Sequence, residues 1–140
     1  MCKIVFFLLC PLILLAQTPK LVVPIGHTLG INAVALSPSG RVVLTGSSDK
    51  TAKLWDMKGR ELQSFSGHTA AIHAVAFSPD GSQVLTGSAD STARLWDLSG
   101  KCLLTFQGCM GGITAVLFTP DGQNMLTGSE DGLIMKWALS

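Results

Sequence analysis

Three polar side chains early in the sequence have the chemistry of a nucleophilic triad. His27 supplies an imidazole, Thr45 a hydroxyl and Asp49 a carboxylate, and these groups together activate the nucleophile of many acyl-transfer enzymes. An indole follows at Trp55. One hypothesis is therefore a hydrolase that acts on ester substrates and loses its activity, but not its fold, in Thr45→Ala.

The same residue types recur further along the chain, which favours a structural interpretation. A second set contains His68, Thr86, Asp90 and Trp96, and a third, incomplete set contains Thr127, Asp131 and Trp137. A catalytic set is not expected to recur, whereas buried polar groups must each find a hydrogen-bond partner wherever they occur. We therefore predict structural sets, no enzyme activity, no catalytic residues, no cofactor and no metal ion.

These sets mark an internal repeat, whose period is the equal spacing between Trp55, Trp96 and Trp137. Residues 26–66 and 67–107 align without a gap and are identical at more than half of their positions. A third copy occupies residues 108–140 and stops before the segment that ends the other two. A period of roughly 40 residues is typical of architectures in which similar units stack against one another.

Within one copy, the pattern is that of short strands separated by turns. Ser-Pro-Ser-Gly at 37–40 is a turn signal, and Ser48 to Thr51 forms a second turn. The strands predicted in the first copy are Ile31 to Leu36, Arg41 to Ser47, Ala52 to Asp56 and Leu62 to Phe65. The sequence therefore predicts an all-β fold made of four-stranded antiparallel blades, with the third copy lacking its fourth strand.

Three features carry a resemblance to a known family. Gly-His begins the first two copies, Ser-Pro-Asp-Gly or a close variant follows the first strand, and Leu-Trp-Asp ends the third strand. Over residues 26–140 the chain resembles the WD40 repeat family. The resemblance implies an incomplete β-propeller ring that acts as a protein-protein interaction scaffold. It also implies that each polar set is a chain of hydrogen bonds from indole to hydroxyl, imidazole and carboxylate.

Two details of these sets are predicted from the sequence. A hairpin centred near Lys50 places Thr45 and Trp55 directly opposite each other. In the third copy Cys109 stands in the histidine position, which predicts that Asp131 is a partly buried carboxylate without its donor. We therefore expect the third blade to be the least stable.

The resemblance also implies a partner-binding face, formed by residues just before the first strand and before the turn aspartate of each copy. These positions are Thr28, Gly30, Ser48, Thr69, Ala71, Ala89, Met110, Gly112 and Glu130. They include no Trp, Tyr or Arg, the residues that dominate interface hot spots. Met110 and Glu130 alone offer distinctive contacts, so they are the candidate partner residues.

Residues 1–16 form a leader with the features of a secretory signal. Lys3 precedes an apolar run from Ile4 to Leu15, and Ala16 is a small residue at which cleavage before Gln17 is expected. The run is too short for a stable membrane span, so we predict a secreted or otherwise extracytoplasmic protein with no membrane span after cleavage. An uncleaved anchor, an ordinary hydrophobic terminus and lipidation at Cys10 remain alternatives.

The chain that remains after cleavage has no net charge. The sequence holds ten Lys and Arg against nine Asp and Glu, and Lys3 is the one basic residue of the leader. Such a chain lacks the basic stripe that binding to a phosphate backbone requires, so nucleic acid is excluded as a partner class. The chain also contains four cysteines, of which Cys102 and Cys109 follow the leader in no disulfide or zinc pattern.

Closure of the ring is the remaining question, since a propeller has four to eight blades. Residues 17–25 align with the end of the first copy and predict an N-terminal edge strand. Two chains that exchange this strand would form a six-bladed homo-oligomer, and pairing with other WD-repeat proteins would also close the ring. The alternative is a truncated piece of a larger secreted repeat protein without independent function.

Overall fold

The computed structural model describes residues 26–139, so the predicted signal peptide of 1–16 and edge strand of 17–25 lie outside the described residues. This part of the chain contains strands and turns and no helix, which confirms the predicted all-β class. The strands are β1 (Ile31–Leu36), β2 (Val42–Ser47), β3 (Ala52–Asp56), β4 (Glu61–Phe65), β5 (Ile72–Phe77), β6 (Gln83–Ser88), β7 (Thr92–Asp97), β8 (Cys102–Gln107), β9 (Ile113–Phe118), β10 (Asn124–Ser129) and β11 (Ile134–Ala138). Among these residues no helix is long and apolar enough to cross a membrane.

The strands form three antiparallel sheets in which each strand pairs with its neighbours in the sequence. Strands β1 to β4 make the first sheet, β5 to β8 the second and β9 to β11 the third. The third sheet has three strands in the described residues. The prediction of four-stranded blades with a three-stranded third member is therefore confirmed, and we refer to the sheets as blades 1, 2 and 3.

The register of the central hairpin differs from the prediction that Thr45 faces Trp55. Thr45 pairs with Lys53, and Trp55 pairs with Val43. The turn is therefore centred at Asp49, one residue earlier than predicted, because Lys50 takes the left-handed conformation with φ of 73°. Thr45 and Trp55 are diagonal neighbours on one face of the sheet, close enough for a long aromatic side chain to reach the hydroxyl.

Adjacent blades pack through an isoleucine and a valine that sit over a glycine. Ile72 of β5 is fully buried against β2, where a Cβ atom at Gly46 would lie 2.6 Å from Ile72 Cγ2 and 2.9 Å from Val75 Cγ1. Blade 3 repeats the arrangement, since a Cβ atom at Gly87 would lie 2.6 Å from Ile113 Cγ2. A side chain at either glycine would force the blades apart, so the interface requires glycine on one blade and two branched residues on the next.

The hydrophobic core is divided between the two junctions. At the first, Leu44, Phe65, Ile72, Val84 and Trp96 form one buried cluster. A smaller cluster at the second junction is built on Leu85, Ala93 and Met125. Blade 2 therefore contributes to both clusters, and the end blades each contribute to one.

Candidate functional site

Blade 1 holds its polar set as one continuous chain of hydrogen bonds. The Trp55 indole N–H donates to Thr45 Oγ1 at 2.8 Å, and Thr45 Oγ1 lies 2.7 Å from His27 Nε2. His27 Nδ1 lies 2.9 Å from Asp49 Oδ2. Because the carboxylate accepts from Nδ1–H, Nε2 carries the lone pair and accepts the threonine hydroxyl proton. All four side chains predicted for this set are thus brought together.

Blade 2 repeats the chain in a more buried position. The Trp96 indole donates to Thr86 Oγ1 at 2.9 Å, which lies 2.7 Å from His68 Nε2. His68 Nδ1 donates to Asp90 Oδ2 at 2.8 Å. Burial lowers the pKa of His68 below its ordinary value, although the hydrogen bond to Asp90 acts in the opposite direction. The histidine is therefore neutral at pH 7, as its acceptor role toward Thr86 requires.

The turn carboxylates are held ionised by several donors. Burial acts to raise the pKa of Asp90, but hydrogen bonds from the side chains of Thr92 and His68 and from the Thr69 N–H outweigh it and bring the pKa to about 2. Burial acts in the same direction on Asp49, and there too the donors, the Thr51 hydroxyl first, outweigh it and bring the pKa to about 2. In blade 2, an ionised Asp90 therefore lies beside a neutral His68 at pH 7.

Two threonines belong to these sets and were missed by the sequence analysis. Thr51 Oγ1 donates to Asp49 Oδ1 at 2.6 Å, and Thr92 Oγ1 donates to Asp90 Oδ1 at 2.6 Å. The sequence signal for this role is a threonine two residues after the aspartate in the first and second copies. The third copy has Leu133 at that position. Each of these hydroxyls donates a hydrogen bond to the carboxylate oxygen that does not face the histidine.

The geometry resembles a catalytic triad, but the hydroxyl cannot meet a substrate. Thr86 is 0% exposed, and its oxygen already accepts the indole proton. A nucleophile requires space for the group that it attacks, and a fully buried hydroxyl leaves none. The observed set instead joins four side chains from the loop before β5, from β6, from the β6–β7 turn and from β7.

Blade 3 corrects the prediction that Asp131 is partly buried and lacks its donor. Asp131 is exposed, and its Oδ2 accepts from the backbone N–H of Met110 at 3.0 Å and of Gly111 at 3.3 Å. Its Oδ1 accepts from the Ser129 hydroxyl and from the Leu133 N–H. These bonds, the one from Ser129 first, hold the pKa of Asp131 below its usual value.

The missing histidine instead affects Thr127. Trp137 Nε1 donates to Thr127 Oγ1 at 3.0 Å, as in the other blades. Cys109 Sγ lies 3.7 Å from Met135 Sδ and does not reach Thr127 in the described structure. The buried Thr127 hydroxyl therefore lacks the imidazole acceptor that its counterparts have.

We expect Cys109→His to stabilise blade 3. The imidazole would accept the Thr127 hydroxyl proton and donate to Asp131, and each net hydrogen bond contributes about 0.5 to 1.5 kcal/mol. Urea denaturation should show a higher midpoint for Cys109→His than for the wild type, with Cys109→Ala as the control for loss of the thiol. A midpoint at or below that of Cys109→Ala would show that position 109 is not equivalent to His27 and His68.

The candidate partner residues lie at the loop edge of blade 3. Met110 is 97% exposed, and its N–H is bonded to the carboxylate of Asp131, the residue after Glu130. Glu130 is exposed and its N–H donates to the Gly112 carbonyl at 2.9 Å. The equivalent bonds from Ser48 to Gly30 and from Ala89 to Ala71 place the corresponding loops of all three blades in the same arrangement. We call this edge the loop face.

No group of three or more His, Cys, Asp or Glu side chains within residues 26–139 could hold a metal ion. Cys102 and Cys109 are both free cysteines. The chemistry available at the loop face is therefore that of an exposed thioether and exposed carboxylates.

Comparison with known proteins supports the repeat assignment. The family model described as "WD domain, G-beta repeat" matches residues 19–56, 59–97 and 100–138. The second match covers β4 to β7 and the third covers β8 to β11, so each of these two matches joins the last strand of one blade to the first three strands of the next.

One curated relative is the nuclear distribution protein PAC1 of Scheffersomyces stipitis. It is 46% identical to this chain over 33 residues, which cover 24% of this chain and 6% of the relative. The chain thus matches a small fraction of that protein's length, about that of one repeat.

Proposed function

This chain belongs to the WD40 repeat family, and from that premise we propose that it is a non-enzymatic scaffold that binds another protein through the loop face around Met110 and Glu130. The family generally provides interaction modules. The side chains of the polar sets in blades 1 and 2 are hydrogen-bonded to one another. The observation that carries the proposal is the 97% exposure of Met110. A flexible apolar side chain left in solvent is a contact suited to adaptable protein surfaces.

The test is capture of partners by the 140-residue chain and two variants. Met110→Arg combined with Glu130→Lys alters the loop face and should remove specific partners from the captured set. Met57→Arg is the matched control, because Met57 is also an exposed methionine but lies in the β3–β4 turn at the opposite edge. Partners retained by both variants would argue against the loop face as the binding surface.

We further propose that the protein acts outside the cytoplasm. The support is the leader sequence, with Lys3, the apolar run and Ala16, which lies outside the described residues. Protein recovered from the medium or periplasm should begin at Gln17 when its N-terminus is sequenced. A soluble cytosolic pool that retains Met1 would contradict this proposal.

A further inference from the structure

The two junctions between blades are built from the same residue types. One half of such a junction also occurs, without its counterpart, at each end of the described structure. Ile72 and Val75 pack over Gly46, and Ile113 and Val116 pack over Gly87. Each junction thus joins a pair of branched side chains, the knob, to a glycine of the preceding blade, the socket. The same residues recur at the repeat spacing in all three copies, so a third knob and a third socket also exist.

The third knob is exposed on blade 1. Ile31 and Val34 are the counterparts of Ile72 and Val75, and they are 57% and 69% exposed, whereas Ile72 is 0% exposed. Leu29 and Leu36 beside them are also exposed. Branched apolar side chains in a row on one strand are the pattern of a buried face, and here that face lies open.

The third socket is exposed on blade 3. A Cβ atom at Gly128 would meet no atom closer than Ala115 Cβ at 3.6 Å, whereas at Gly46 and Gly87 it would meet the next blade at 2.6 Å. A surface concavity surrounds this glycine and is lined by Ala115, Val116, Leu117, Leu126, Thr127, Gly128 and Ile134. It contains no charged side chain, so it suits an apolar occupant.

We propose that the Ile31–Val34 knob of one copy docks over Gly128 of a second copy of this chain. The occupant is inferred from the chain itself, because two junctions of the same composition are already built from this knob and this socket. Two copies supply six blades, within the four to eight that close a propeller, whereas three copies would supply nine. The contact is heterologous, and it closes on itself under twofold symmetry.

This inference rests on the proposed scaffold function only for its biological meaning. A closed ring would present the loop faces of six blades on one continuous binding surface. The contact is nevertheless tested without any other protein. The sedimentation mass of the purified 140-residue chain should be twice that of the single chain. Partner capture through Met110 is measured separately, so the absence of a dimer would not by itself contradict the proposed scaffold function.

Two variants disable opposite halves of the contact. Val34→Asp places a charge in the knob, and Gly128→Val fills the socket with a side chain whose Cβ atom blade 3 itself has room for. Each variant alone should sediment as a monomer with an unchanged far-UV circular dichroism spectrum. Val34→Ser and Gly128→Ala replace them if either spectrum shows loss of β-sheet.

A mixture of the two variants distinguishes this contact from any symmetric one. The intact knob of Gly128→Val fits the intact socket of Val34→Asp, so the mixture should regain a species of twice the mass, and a tag on one variant should retain the other. A monomeric wild type, dimers that survive both substitutions, or folded variants that fail to pair when mixed would each overturn the proposal. A monomeric wild type would direct attention to further repeats or another WD-repeat protein as the occupant.

Discussion

Replacing Trp96 with alanine is expected to lower the free energy of unfolding by about 3 to 5 kcal/mol, the usual cost of removing a buried aromatic side chain. Trp96 is 1% exposed and packs edge-on against Phe65, with ring centroids 5.8 Å apart. It therefore fills the junction between blades 1 and 2 as well as its own blade. Its loss also removes the donor to Thr86.

The matched control is Trp137→Ala, which removes the same side chain from blade 3. Trp137 keeps the bond to its threonine and packs against Phe106, but it is only partly buried. Urea denaturation of both variants at one protein concentration should give a smaller loss for Trp137→Ala. Equal losses would mean that the deeper burial of Trp96 against Phe65 contributes no more than the partly buried contact of Trp137 with Phe106 of blade 2.

The strand order was accessible from the sequence because its signals are local and repeated. The turn sequence at 37–40 and the apolar strands on either side fix β1 as predicted, from Ile31 to Leu36. Strand β2 begins one residue later than predicted, at Val42, and β4 one residue earlier, at Glu61. Such ends depend on a single hydrogen bond, and residue type alone does not determine them.

The register and the blade junctions were not accessible in the same way. The left-handed conformation of Lys50 shifts the turn centre, and Lys is not a residue whose type demands that conformation. The role of Gly46 depends on Ile72, which belongs to the next copy of the repeat. A contact between separate sheets leaves no local pattern, although the recurrence of both residues in each copy is consistent with it.

The hydrogen bonds of Asp131 also differ from the prediction, for a different reason. Cys109 in the histidine position suggested that the carboxylate would be left without a donor. Asp131 nevertheless keeps the backbone bond that Asp90 receives from Thr69, here from the Met110 N–H, and it also accepts from the Gly111 N–H and the Ser129 hydroxyl. Exposed loops can satisfy a carboxylate with main-chain donors or water, whereas a buried hydroxyl has no such choice. The sequence therefore indicated which set is incomplete, but not which of its members lacks a partner.

Thr86→Val is expected to lower the free energy of unfolding by about 2 to 6 kcal/mol, although it keeps the size and shape of the side chain. The hydroxyl accepts from Trp96 and lies 2.7 Å from His68 Nε2, so its loss leaves two buried polar groups without partners. Each such group costs about 1 to 3 kcal/mol. Chemical denaturation measures the loss, and unchanged circular dichroism of the folded variant shows that packing is preserved.

The matched substitution Thr127→Val separates this effect from the preference of valine for a strand. Thr127 accepts from Trp137 but has no imidazole partner, and Trp137 is only partly buried. We therefore expect a smaller loss, of about 1 to 3 kcal/mol, since one polar group rather than two loses its partner. If Thr127→Val costs as much as Thr86→Val, the imidazole contributes nothing to the blade. If Thr86→Val costs nothing, the set is not what holds blade 2 together, and its triad-like geometry would need another explanation.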